Sequence, residues 1–248
     1  MLAAVTRLDE LYRAVWERPT DAELRLVIAD ALLEAGDPRG ELIQLQLHPR
    51  ADQEQRVMRL LQQHGLTWLG SLRGAVLPVS YELGFLASCV AIDPDAGGRI
   101  EWATVHTVQF EVEAIDFLFD PVMRSLRRVT CVQDGHLKQL LRAPRRLAEI
   151  ETALPWSRLP KLYPRLERMA GLQVFTLRGL RLSRDAAGRL GALDVAFTEG
   201  LQRLLEILPS DGLTSLIVRG SPRVRREEIE RIARAAQHRL DAIQFLEP

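Results

Sequence analysis

The feature that most constrains this chain is a short frame that keeps returning. Leu213-Thr214-Ser215-Leu216-Ile217-Val218 is apolar at its first, fourth and sixth places and variable between them. The frame recurs as Leu240…Ile243…Phe245, Leu172…Phe175…Leu177, Leu126…Val129…Cys131 and Val105…Val108…Phe110, with a weaker copy at Leu147…Ile150…Thr152. The copies begin at 105, 126, 147, 172, 213 and 240, so the steps are 21, 21, 25, 41 and 27. The step of 41 is close to two laps with one copy eroded. A strand, a turn and a helix of such length cannot bury their apolar faces alone.

A period in the twenties with this apolar frame is the mark of a leucine-rich repeat. Helical patterns are expected after the strands, over 113–119, 134–142, 158–169, 184–193, 198–208 and 225–238. The predicted fold is therefore α/β: an N-terminal helical cap, then a short leucine-rich-repeat solenoid of the ribonuclease-inhibitor-like kind, with parallel strands inside and helices outside. The asparagine usual at the ninth place is replaced by Asp134, Leu180 and Ser221, which predicts uneven curvature at those corners.

The N-terminal third reads as helices. Leu8, Leu11, Tyr12, Val15 and Trp16 share a face over 7–18, and Pro19 stops that run. Thr20-Asp21-Ala22-Glu23 has the shape of a capping box, and Ala35-Gly36 ends the helix that follows. Asp37-Pro38 starts the next one, and a fourth is predicted over 52–63, ended by His64-Gly65. Residues 66–83 read as a mixed connection. The run Leu26-Val27-Ile28-Ala29-Asp30-Ala31-Leu32-Leu33-Glu34-Ala35-Gly36-Asp37-Pro38-Arg39-Gly40-Glu41-Leu42-Ile43-Gln44-Leu45-Gln46 resembles the bacterial repeat-companion domain. That module precedes degenerate leucine-rich repeats, and Ala31 stands here where the family carries tryptophan. The resemblance implies a capping domain over 1–84 and a repeat arc over 85–248. It implies no catalytic activity.

Formal net charge is zero, with 33 basic and 33 acidic residues, so no global field argues for nucleic acid or membrane. Only Lys138 and Lys161 are lysines, and an arginine bias spread over every segment marks no site. Cys89 and Cys131 fall on predicted strands, where a buried thiol is the usual case. No basic leader with a long apolar run opens the sequence, and no window reaches the length of a membrane span, so the expected compartment is the cytoplasm.

Chemistry-bearing motifs are scarce. The five histidines, His48, His64, His106, His136 and His238, lie far apart with no ligand spacing, and His106 is expected on the surface. Asp93…Asp95…Gly97-Gly98 lacks an acid at the twelfth place, Thr104, and reads as a turn rather than a calcium loop. Asp37-Pro38-Arg39-Gly40-Glu41 reads as a helix start with an Arg–carboxylate pair, Asp30 being a partner for Arg39 or for a backbone amine. No cofactor, metal or catalytic set is expected, and the chain reads as non-enzymatic. The expected function is protein–protein interaction, as an adaptor or a subunit of a larger assembly. It would use Gln109, Glu111, Arg128, Thr130, Val132, Val174, Thr176, Arg178, Ile217, Arg219 and Gln244 on the concave sheet. The alternative is RNA or DNA binding through the basic run Arg124, Arg127, Arg128, Lys138, Arg142, Arg145 and Arg146, opposed by Asp134 alone. Against it, no aromatics interleave that run for base stacking.

Overall fold

The structure is a computed structural model that describes residues 2–113, 115–141, 147–169, 171–196, 201–208, 213–219, 226–236 and 240–246. It divides into two compact units, Met1–Arg127 and Arg128–Pro248.

The first unit opens with four helices: α1 (Leu2–Glu17), α2 (Ala22–Glu34), α3 (Pro38–Leu47) and α4 (Glu54–Trp68). The cap of α2 is Asp21, one residue past Thr20, whose carboxylate accepts from the Leu24 amide at 3.1 Å. Gly36, with φ 74°, closes the helix, and Asp37 caps α3 by accepting from the Arg39 amide at 2.8 Å. α4 does not end at His64-Gly65. It runs on to Trp68, and the Gly65 carbonyl accepts from the Tyr81 hydroxyl at 2.6 Å.

The predicted connection over 66–83 contains β1 (Val76–Glu82), which forms an antiparallel hairpin with β2 (Phe85–Ala91). β3 (Thr107–Phe110) then lies parallel to β2. The hairpin turns through Leu83 at φ 47° and Gly84 at φ 77°. A Cβ on Gly84 would stand 2.4 Å from Cγ1 of Ile43, so the turn needs glycine for space as well as for its dihedral. Gln46 fixes this hairpin from α3: its amide nitrogen donates to the Tyr81 carbonyl at 2.7 Å, and its oxygen accepts from the Gly84 amide at 2.8 Å.

Arg39 does not pair with a carboxylate. It is 9% exposed, donates to the Trp68 carbonyl at 3.1 Å and lies against the rings of Tyr12, Trp68 and Phe85. Asp30 instead accepts from Gln44 at 3.2 Å, and Glu41 pairs with Arg56 at 2.6 Å. The helices pack around Val15, Ile28, Ala29, Leu32, Ile43 and Phe85. Asp93 forms a turn, accepting from the Asp95 amide at 2.9 Å and pairing with Arg99.

The second unit is a sheet of seven strands in chain order: β4 (Arg128–Val132), β5 (Glu149–Pro155), β6 (Val174–Arg178), β7 (Leu180–Arg184), β8 (Leu190–Val195), β9 (Ser215–Arg219) and β10 (Ala242–Leu246). Each of the six predicted frames carries a strand: β3 in the first unit, and β4, β5, β6, β9 and β10 here. Four helices connect the parallel pairs: α5 (Asp134–Leu140), α6 (Leu159–Leu166), α7 (Leu201–Ile207) and α8 (Arg226–Ala235). The helix expected over 113–119 is a 3-10 turn at Asp116–Phe119.

No helix stands at 184–193. β7 runs antiparallel to both neighbours and hands over to β8 through a tight turn. Asp185 holds that turn, its Oδ1 accepting from the Ala187 and Arg189 amides at 2.9 Å each, with Gly188 at φ 79°. β8 supplies the missing lap within the step of 41, because Leu190, Leu193 and Val195 restore the frame and β8 is parallel to β9.

The inward side chains join into lateral rows. Val129, Ile150, Phe175, Leu182, Leu193, Leu216 and Ile243 are register partners across all seven strands, and all but Ile243 are buried. Phe245, at an inward place of the last strand, is 39% exposed.

Two glycines give opposite expectations. A Cβ on Gly40 would meet the Ala29 carbonyl at 2.7 Å and the Leu33 nitrogen at 2.8 Å, so Gly40→Ala forces α2 and α3 apart and costs about 1–3 kcal/mol. Gly135 in α5 has nothing within 4 Å, so Gly135→Ala leaves stability unchanged or raises it by up to about 1 kcal/mol. Urea midpoints for the two variants check both.

Candidate functional site

Pleating sends alternate side chains to the face opposite the buried rows. In the second unit the pairing aligns these into two outward rows. One runs Arg128, Glu149, Val174, Ser183, Ala192, Ser215, Ala242, and all seven are half-buried. The other runs Glu151, Thr176, Arg181, Asp194, Ile217, Gln244. Of the residues predicted for a binding face, Arg128, Val174, Thr176, Ile217 and Gln244 stand in these rows. Thr130 is half-buried, while Arg178 and Arg219 are exposed at the far ends of β6 and β9. Gln109 and Glu111 belong to the first unit, half-buried and exposed respectively.

Val132 is not on this face. It is 1% exposed, whereas Cys131, expected inside, is exposed with φ 56°. A register shift between Val129 and Val132 inserts one residue, so the alternation slips and the thiol turns out. The Thr152 hydroxyl, from β5, donates to the Val132 carbonyl and closes the irregular stretch.

Charge on the face is largely matched within it. Arg128 donates to Glu151 at 3.0 Å and lies 3.7 Å from Glu149. Arg219 grips Asp194 through Nε and Nη2, at 2.8 and 2.7 Å. Those hydrogen bonds raise the Arg219 pKa above its ordinary value. With Arg178 and Arg181 the face carries four guanidinium groups against Glu149, Glu151 and Asp194. Besides these pairs the face presents Val174, Ile217, Gln244, the guanidinium groups of Arg178 and Arg181, and small side chains.

Sequence reasoning missed Arg181, Ser183, Ala192 and Asp194, because it placed a helix over 184–193 and no strand on either side of it. The signal was present, since Leu190-Gly191-Ala192-Leu193-Asp194-Val195 keeps the frame.

The predicted basic run does not form one described patch. Arg124 and Arg127 are exposed in the first unit, and Arg124 donates to the Glu17 carbonyl at 3.3 Å. Lys138, in the second unit, pairs with Asp134 at 2.7 Å and holds that carboxyl below its usual range. Arg142, Arg145 and Arg146 lie outside the described residues. His106 sits half-buried, bonded to Thr107 and Glu82 at 3.0 Å each. Among the described residues no three His, Cys, Asp or Glu side chains gather as metal ligands, and no helix is long and apolar enough to cross a membrane.

Comparison with known protein families, with curated proteins and with solved structures finds no match.

The slipped alternation gives a direct test. Cys131 should react with a disulfide reagent in the native protein. Cys89, 1% exposed and with its pKa pushed up to about 12 by burial, should react only on unfolding. Thiol counting before and after denaturation checks this.

Proposed function

We propose that the chain is a non-enzymatic interaction module that holds a protein partner on the outward face of its sheet. The observation that carries this reading is the pair of lateral rows: a continuous, pleated surface whose carboxylates are paired with Arg128 and Arg219, with Val174 and Ile217 as apolar anchors. Apolar anchors bordered by arginine suit a protein interface. In finer terms we read the strands and connecting helices as a short, degenerate leucine-rich-repeat arc with this face on its inner curve. Support comes from the strand at each of the six frames and from the shared register of the apolar rows. The N-terminal helices would then be a repeat-companion cap. That reading rests on the Gly36–Gln46 run, whose residues find specific tasks in packing α2, α3 and the β1–β2 hairpin.

The test compares the intact chain with Ile217→Asp, both used to capture partners from the native cell at moderate and high salt. The expected result is a protein held by the intact chain at both salt levels and lost from the variant, with unchanged circular dichroism and urea midpoint. The same bound proteins on both chains, or only nuclease-sensitive material released by salt, would overturn the reading.

A further inference from the structure

Arg25 lies on the apolar face of α2, in step with Ile28, Ala29 and Leu32, and is 3% exposed. Its guanidinium stands 4.1 Å from the centroid of the Phe85 ring. Nη2 donates to the Pro19 carbonyl at 2.8 Å, while Nε and Nη1 have no acceptor. Among the described residues no carboxylate pairs with it. The charged neighbour that acts on it is Arg39, of like sign. Burial first, and Arg39 second, lower its pKa to about 10, so it stays charged at neutral pH. A buried charge without a counter-charge is costly, and unpaired buried donors are rare in native proteins.

Arg25 forms part of the wall of a 410 Å³ pocket in the first unit. Arg127 and Ser125 line the same pocket, with His106, Thr20 and Thr104. Ser125 is 8% exposed, and its hydroxyl has no partner. Glu82 is the one carboxylate in the lining, and its Oε1 is bonded to His106. The polar lining is weighted toward donors, two guanidinium groups and the Ser125 hydroxyl against the single Glu82 carboxylate. Pro19, Leu83 and Ala87 add apolar wall. A volume of this size falls within the range of small-molecule sites, about 300–1,000 Å³. It exceeds what a bare oxyanion fills.

We propose that this pocket binds a small phosphate monoester, its phosphate facing Arg25, Arg127 and Ser125 and its organic part lying along Pro19, Leu83 and Ala87. Two guanidinium forks match a dianion in charge and in planar, paired donors better than they match a single carboxylate.

The experiment titrates the full chain with inorganic phosphate, phenyl phosphate and acetate at fixed ionic strength, by calorimetry and by the shift of the phosphorus resonance. Saturable binding of phenyl phosphate, tighter than inorganic phosphate and far tighter than acetate, is expected. Arg127→Ala, at an exposed position, should weaken it by about tenfold or more, and Ser125→Ala by a smaller factor. Arg25→Met should abolish it; if that variant fails to fold, the other two decide. Arg50→Ala, on the adjoining groove that shares Glu82 and Leu83 but outside the pocket itself, should bind as the parent does. No saturable binding of either phosphate compound, acetate binding as well as phenyl phosphate, or parental affinity in both Arg127→Ala and Ser125→Ala would overturn the proposal.

Discussion

The second unit depends on a constraint of width. One strand offers its neighbours a few inward side chains, and one short helix offers a narrow apolar stripe. Each buried Val, Leu, Ile or Phe contributes about 1.5–3 kcal/mol, and ordering the backbone offsets much of it. A single lap therefore gains little. When Ile150, Phe175, Leu182, Leu193 and Leu216 align side by side, each is flanked by a register partner on both neighbouring strands. That alignment also sets the opposite face, because a strand that keeps its inward residues in register must present its outward ones in register too. The rows proposed for binding are thus a by-product of the core.

The strands were legible because this constraint writes itself into sequence as a fixed frame. The miss at 184–193 has a local cause. Leucines at 180, 182, 190 and 193 satisfy helical and extended spacing about equally, and Asp185 with Gly188 decides for a turn. The misplaced Val132 has another. Period-two reasoning assumes an unbroken pleat, and one extra residue at Cys131 reverses the assignment of the next side chain. Of the outward face, the members on β4, β5, β6, β9 and β10 were readable, and those on β7 and β8 were not.

In the first unit the motif was readable but its physics was not. Asp37 and Pro38 do what capping rules predict. Arg39 does not, because its partners are rings and a carbonyl supplied by Tyr12, Trp68 and Phe85, remote in sequence. The ring of Phe85 carries two guanidinium groups, from Arg25 and Arg39, that repel each other. Its electron-rich face offsets part of that repulsion. An arginine spaced with Ile28, Ala29 and Leu32 on a helix face is the one sequence signal that pointed to Arg25, since such a position normally takes an apolar residue.

Strand β7 lies close to α6, whose Tyr163 and Leu166 line one pocket with Leu182 and Arg184. Arg184, at the end of β7, donates to the carbonyl of Leu166, the last residue of α6, at 2.6 Å and to that of Met169, three residues beyond it, at 3.2 Å. The Leu166 carbonyl also accepts from the Met169 amide at 3.0 Å, so the guanidinium is a second donor at the helix end, where a cation favours the helix dipole. The extra strand is therefore the latch on the preceding helix, not an ornament on the following turn. Trimming it back to an ordinary loop would unfasten the last turn of α6 and bare the leucines beneath.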